Sequence, residues 1–122
     1  MTMVLELRNH NEQSIAEAPR NLVLVDRAAA VTDVIEFCLN NRVRRVLLYS
    51  ENLAAEFFDL KTGMAGTMLQ KFRQYRLRLA IVLDPDLSLS DRFRELAAEE
   101  NKAPYVRFAR TAEEARDWLV TS

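Results

Sequence analysis

Apolar residues along this chain follow two alternating periods. Met3 to Arg8 alternates, with apolar Met3 and Leu5 and, offset, Val4, which predicts a first strand. "NHNE" at 9–12 is turn chemistry, because asparagine tolerates left-handed backbone without a glycine. "QSIAEA" then returns as a second, weaker strand, so the chain opens on a hairpin. "NLVLVD" at 21–26 is a short apolar run ending in Asp26, a good helix N-cap. From Arg27 to Asn41 the period becomes helical: Val31, Val34, Ile35 and Cys38 fall three and four apart, the stripe that faces a core.

The alternation continues to the end. "VRRVLLYS" at 43–50 predicts a strand covered on both faces, from its run Val46, Leu47, Leu48. Ser50 is placed to cap a short helix through Phe58, and a break at 59–63 follows. A second helical stretch to Tyr75 has the stripe Met64, Met68, Leu69, Phe72 and Tyr75, with Lys71, Arg73 and Gln74 opposite. "LRLAIVL" at 77–83 reads as a buried strand that Pro85 ends. Ser88 and Asp91 then form a capping-box pattern before a helix facing inward with Phe93, Leu96 and Ala97. "YVRF" at 105–108 is a last short strand, and Thr111 with Glu114 caps a closing helix that buries Ala115, Trp118 and Leu119.

A hairpin followed by helices and strands in alternation predicts an α/β fold. Its sheet is mixed but mainly parallel, four- or five-stranded, with helices packed on its faces and residues 1–122 forming one domain. A flavodoxin-like strand order is the alternative, and the N-terminal hairpin argues against it.

Composition adds limits. A 49% hydrophobic chain of 122 residues can build a real core. Seventeen Lys+Arg against eighteen Asp+Glu leave a formal charge of -1, so there is no whole-molecule pull toward nucleic acid or an anionic membrane. No apolar stretch approaches a membrane span. No basic start leads into a long apolar run, and the single Cys38 excludes an internal disulfide and a multi-cysteine zinc site. A cytoplasmic domain is the expectation.

Candidate chemistry is sparse. His10 sits in a predicted turn and reads as solvent-exposed, and Cys38 lies on an apolar stripe as a small core residue. Asp84 and Asp86 follow a strand, where turn and capping roles suit them. "RVRR" at 42–45 and "KFRQYRLR" at 71–78 are the densest basic stretches. Phe72 and Tyr75 in the second fit the buried stripe, so a solvated helix face is preferred to a nucleic-acid patch. No catalytic residue, metal ligand set or cofactor is expected.

One block is unusual. Gly63 and Gly66, the only glycines, fall within four positions, just after Phe57, Phe58 and Asp59. A structural reading makes Gly63 a turn between helical segments and Gly66 a close approach of helix to sheet, with Phe57 and Phe58 as core or interface anchors. A functional reading places an anion on the free N–H groups of the helix that starts at Thr62 and Gly63. The Lys-Ser/Thr of a phosphate loop is absent.

The stretch from Glu51 to Val82 resembles the signature of an uncharacterised bacterial domain-of-unknown-function family (4180 type). Glu56, Phe57, Phe58, Asp59, Leu60, Thr62, Gly63, Ala65, Gly66, Leu69, Gln70, Lys71 and Phe72 match its pattern as they stand. The element order is also similar to the STAS domain of anti-sigma-factor antagonists, in which a serine at a helix start is phosphorylated. Thr62 holds a comparable place here, with one residue inserted. This resemblance implies a STAS-like, non-catalytic regulatory module with a protein partner, met by the segment 51–68. Phe57, Phe58, Asp59, Thr62, Gly63 and Gly66 are the candidate contacts. The alternatives are a small anionic ligand at the Thr62–Gly63 helix start and a phosphoswitch at Thr62. A homodimer through an edge strand or the last helix is a further expectation.

Overall fold

A computed structural model describes residues 4–121 of the chain. Its sheet has five strands in the order β1-β2-β3-β4-β5: β1 (Glu6–His10), β2 (Gln13–Glu17), β3 (Arg45–Tyr49), β4 (Arg78–Val82) and β5 (Val106–Ala109). β1 is antiparallel to β2, and every later pairing is parallel. The hairpin turn sits at Asn11 and Glu12, both left-handed (φ 51° and 66°). The expected first strand is therefore moved toward the C-terminus, and its Met3 lies outside the described residues.

The helices are α1 (Ala28–Asn40), α2 (Met64–Gln74), α3 (Asp91–Glu100) and α4 (Ala112–Val120). Successive right-handed crossovers that always step the same way across a sheet leave their helices on one face. Accordingly α1, α2 and α3 share one core with Val46, Leu48, Leu79, Ile81, Val106 and Phe108. α4 alone covers the other face, where Ala115 and Leu119 meet Ile15, Leu47, Ala80, Val82 and Ala109. The unbroken apolar runs of β3 and β4 follow from this double coverage. Arg116 of α4 is also tied to buried Glu17 of β2 by two hydrogen bonds of 2.7 and 3.0 Å.

Several local expectations need correction. The α1 cap position is Arg27, without a side-chain cap, and Asp26 is exposed. The preceding Val25 pairs with Leu53, so the chain leaves that bridge extended and turns into the helix one residue later. Ser90, not Ser88, caps α3, accepting from Phe93 N at 3.1 Å. Tyr75 is 42% exposed because α2 ends at Gln74 and Arg76 turns left-handed (φ 57°). Trp118 is only partly buried. His10 is half-buried, with Nε2 2.9 Å from Asp117 Oδ1, so it joins the hairpin to α4 instead of standing in solvent.

The largest departure is at Ser50–Phe58, where a helix was expected. Two separate 3-10 turns stand there, Ser50–Asn52 and Ala55–Phe58, and a third, Leu60–Thr62, follows in the expected break. Asn52 is the reason. Its side chain is fully buried; Oδ1 accepts from Tyr49 N at 2.6 Å and Nδ2 donates to Pro19 O and Leu22 O at 2.8 and 2.7 Å. Its carbonyl also accepts from Leu24 and Val25 N–H. That network holds Leu53 extended beside Val25, and no helix propagates through an extended residue.

Asn52→Ala removes hydrogen bonds on both sides and leaves the buried Tyr49 N–H and the part-buried carbonyls of Pro19 and Leu22 unpaired, a cost of about 2–4 kcal/mol for several such groups. We predict a correspondingly lower unfolding midpoint in urea. Asn52→Asp fits the space and still accepts from Tyr49 N–H, but sets a carboxylate against two carbonyl oxygens, so it is at least as damaging at pH 7. Either variant unfolding like wild type contradicts the role given to this side chain.

Candidate functional site

Parallel strands in register end together, so β3, β4 and β5 present their carboxyl ends at one edge of the sheet. Open α/β sheets place ligands there, most of all where neighbouring strands send their connections to opposite faces. β4 and β5 are such a pair, since β4 leads to α3 and β5 to α4. A cleft of about 290 Å³ lies at that point, lined by Tyr49, Ser50, Asp84, Arg110 and Thr111 among others. Ser50 is buried, and its Oγ accepts from Asp84 N at 3.0 Å. Arg20 closes the cleft on the β2 side, bound to Glu51 at 2.8 Å and lying 4.6 Å from the Tyr49 ring centre. The hydrogen bond to the Glu51 carboxylate pushes the Arg20 pKa up.

The cleft opens into a trough. Two joined basins of about 370 and 800 Å³ share Ala55 and Phe58. One wall is the run of 3-10 turns, with Leu53, Asp59, Leu60 and Lys61. The other is the β4–α3 connection and the start of α3, with Asp86, Leu87, Ser90, Asp91 and Arg92. The floor is apolar and the rims are charged.

The two phenylalanines divide the work. Phe57 has no exposed surface and packs 5.9 Å, centre to centre, from Phe93, which in turn meets Phe108 at 5.6 Å. Phe58 is half-buried and touches both Phe57 and Phe93, at 5.1 and 5.2 Å. Phe57 therefore supports the trough from beneath, while Phe58 contributes to its surface. Truncating a buried phenylalanine costs about 3–5 kcal/mol, a large share of a domain's whole stability, so Phe57→Ala reports folding before it reports binding.

Asp59, Thr62, Gly63 and Gly66 are all exposed. Asp59 Oδ1 accepts from Lys61 N at 3.1 Å and so caps the last 3-10 turn. The Thr62 hydroxyl lies 2.6 Å from Glu56 O and 2.8 Å from Asp59 O as donor, and accepts from Met64 N at 3.2 Å. Gly63 is left-handed (φ 76°) and joins that turn to α2, as its turn reading required. Gly66 does not let the helix approach the sheet. It faces outward, and a Cβ placed on it would meet nothing within 4 Å. The structure thus brings Phe58 and Asp59 to the trough and places Thr62 and Gly63 on a separate cleft of about 230 Å³ beside Glu56, Met64 and Thr67.

Sequence reading missed Arg20, Ser50, Leu87 and Arg110 as lining residues. Asp84 and Pro85 after an apolar strand were the one available signal, because strand-end residues line the carboxyl edge of a parallel sheet. Cys38 is on the buried face of α1, and burial pushes its thiol up to about 12, which keeps it protonated and unreactive at neutral pH. Among the described residues no group of three or more His, Cys, Asp or Glu could hold a metal ion, and no helix is long and apolar enough to cross a membrane.

A family model described as a domain of unknown function (DUF4180) matches residues 10–119. No curated protein and no solved structure matches the chain.

The two glycines separate by sign. Gly63→Ala forces a left-handed alanine and is expected to lower stability by about 1 kcal/mol, although space for the methyl exists. Gly66→Ala sits on an open helical face and is expected to raise it by about 0.5 kcal/mol. Urea unfolding of both variants checks this; equal signs contradict the assignment.

Proposed function

The chain belongs to the DUF4180 family of domains of unknown function, and we propose that it works as a non-catalytic, regulatory protein-interaction module. A partner segment lies in the trough between the 3-10 turns and the β4–α3 connection. The observation that carries this reading is Phe58, a large ring left half-exposed on an apolar floor with Ala55, Leu53 and Leu87, inside rims of Asp59, Lys61, Asp91 and Arg92. An apolar centre with a charged rim is the usual anatomy of a protein interface. The trough is preformed, because Asn52, Thr62 and Asp59 fix the turns that wall it. Preorganisation lowers the ordering cost of association. The one cysteine and the one histidine lie elsewhere: Cys38 is on the buried face of α1, and His10 is at the hairpin end, opposite the trough. We place this work in the cytoplasm, on the strength of a single cysteine held as a buried thiol.

The second reading keeps the Thr62–Gly63 junction as an anion site or phosphoswitch. Its support is that the first-turn N–H groups of Ala65 and Gly66 have no acceptor among the described residues. Glu56 on the same cleft opposes an anion, and a phosphoryl group on Thr62 would cost the hydroxyl's donated hydrogen bonds.

Photo-crosslinking side chains at positions 55, 58 and 87 test the first reading, with exposed Asp33 on α1 as control. One common adduct is expected in cells from the three trough positions and not from position 33. Adducts from all four positions alike, or from none, contradict it. The second reading predicts that inorganic phosphate stabilises the protein thermally and that Thr62→Val abolishes the effect; absence of stabilisation contradicts it.

A further inference from the structure

We infer that the opposite, amino-terminal edge of the sheet binds a compact phosphate-bearing polyanion. The parallel register that aligns the strand ends also aligns their beginnings. Arg45 opens β3 directly beside Arg78, which opens β4, and Arg107 stands next to Ala80 on the same, α4-covered face. The basic runs at 42–45 and 71–78, far apart in the chain, meet there. A cleft of about 690 Å³ results, with Arg45, Arg76, Arg78, Lys102 and Arg107 around Trp118. No carboxylate lines it among the described residues. In a chain whose formal charge is -1, this is a local concentration of positive charge, and a cleft of one sign focuses its field outward.

Part of the cluster has a structural task. Arg45 Nε donates to Leu119 O at 3.0 Å, and Arg78 donates to Leu119 O, Thr121 O and Pro104 O. These two satisfy the free carbonyls and the partial negative charge at the C-terminus of α4. Capping does not account for the others. Arg107 Nε is buried and donates to no acceptor among the described residues, so capping leaves this guanidinium unused. Arg76 stands exposed on its turn, and Lys102 has only an exposed partner, Glu99 at 3.7 Å. Arg78 and Arg107 both lie over the Trp118 ring, at 4.1 and 5.5 Å. Burial, with Arg45 and Arg107 as like charges, pulls the Arg78 pKa down, so an anion here would also relieve repulsion.

Arginines forked around one space suit phosphate oxygens, and several cations without acids suit a ligand of two or more charges. The ligand is compact, because the cleft offers a space of only about 690 Å³. Tyr105, 38% exposed on the same cleft, offers a ring to a nucleobase.

Trp118 is the only tryptophan, so its emission reports directly on this cleft. Inorganic tripolyphosphate is titrated into the full chain, then ATP, then a single-stranded RNA oligonucleotide. A saturable change with tripolyphosphate that weakens as salt rises is expected. Arg76→Gly, which suits the left-handed backbone, and Lys102→Ala should each weaken it about tenfold, with unfolding midpoints no lower than wild type. ATP binding tighter than tripolyphosphate supports a nucleotide ligand; equal binding supports an inorganic phosphate chain. The inference is overturned if neither small anion gives a saturable change, if both variants bind like wild type, or if RNA alone binds.

Discussion

The flush parallel pairing of β3 with β4, from Arg45 beside Arg78 to Tyr49 beside Val82, is the constraint on which the rest of the molecule depends. Parallel strands of one length start and stop together, so the sheet has two chemically distinct edges. At the carboxyl edge the chain must leave each strand through Ser50, Leu83 or Arg110, and these exits frame the cleft and trough. At the amino edge the first residues of β3 and β4 are both arginine, and those frame the basic cleft. A slip of one residue would turn Arg45, Leu47 and Tyr49 toward the other core, so burial on both faces enforces this register.

The placement of α4 completes the division. Had α4 followed the earlier helices, β4 and β5 would send their connections the same way and no crevice would open between them. α4 is held on the opposite face by Ala115 and Leu119 in the second core and by the Glu17–Arg116 pair. Its C-terminus then points at the amino edge, where Arg45 and Arg78 meet its carbonyls. One helix thus shapes both edges. Along the carboxyl edge, the aromatic chain Phe58, Phe57, Phe93, Phe108 connects the trough surface to β5 through packed rings.

Fold class, hairpin and helix order were legible in the sequence because they rest on periodicity. Val31, Val34, Ile35 and Cys38, and the runs in β3 and β4, announce their surroundings residue by residue. The segment 50–63 was not legible as a structure. Its shape depends on Asn52 bonding to Pro19 and Leu22, some thirty residues earlier, and local pattern carries no trace of so distant a partner. Gly66 misled for a related reason: a glycine beside an apolar helical stripe suggests close packing, yet its own face is open. The block from Phe57 to Gly66 was visible as a signature. Which of its side chains support the surface and which form it became visible only when Phe57 and Phe58 were placed on opposite sides of one wall. The basic runs were read as solvated faces because the register that joins them is a property of the sheet.

The chain from Leu53 to Thr62 is a fixed wall and not a loop that orders on demand. Native-state amide hydrogen exchange tests this most directly. The amides of Leu53, Ala54, Phe57 and Thr62 each donate to a backbone carbonyl, at 3.1, 2.9, 2.9 and 3.0 Å. In a fixed wall Ala54 and Phe57 are protected nearly as well as β3, and the others exchange well below the rate of an open chain. Exchange at open-chain rates throughout this segment, with β3 and β4 still protected, would mean that no preformed trough exists.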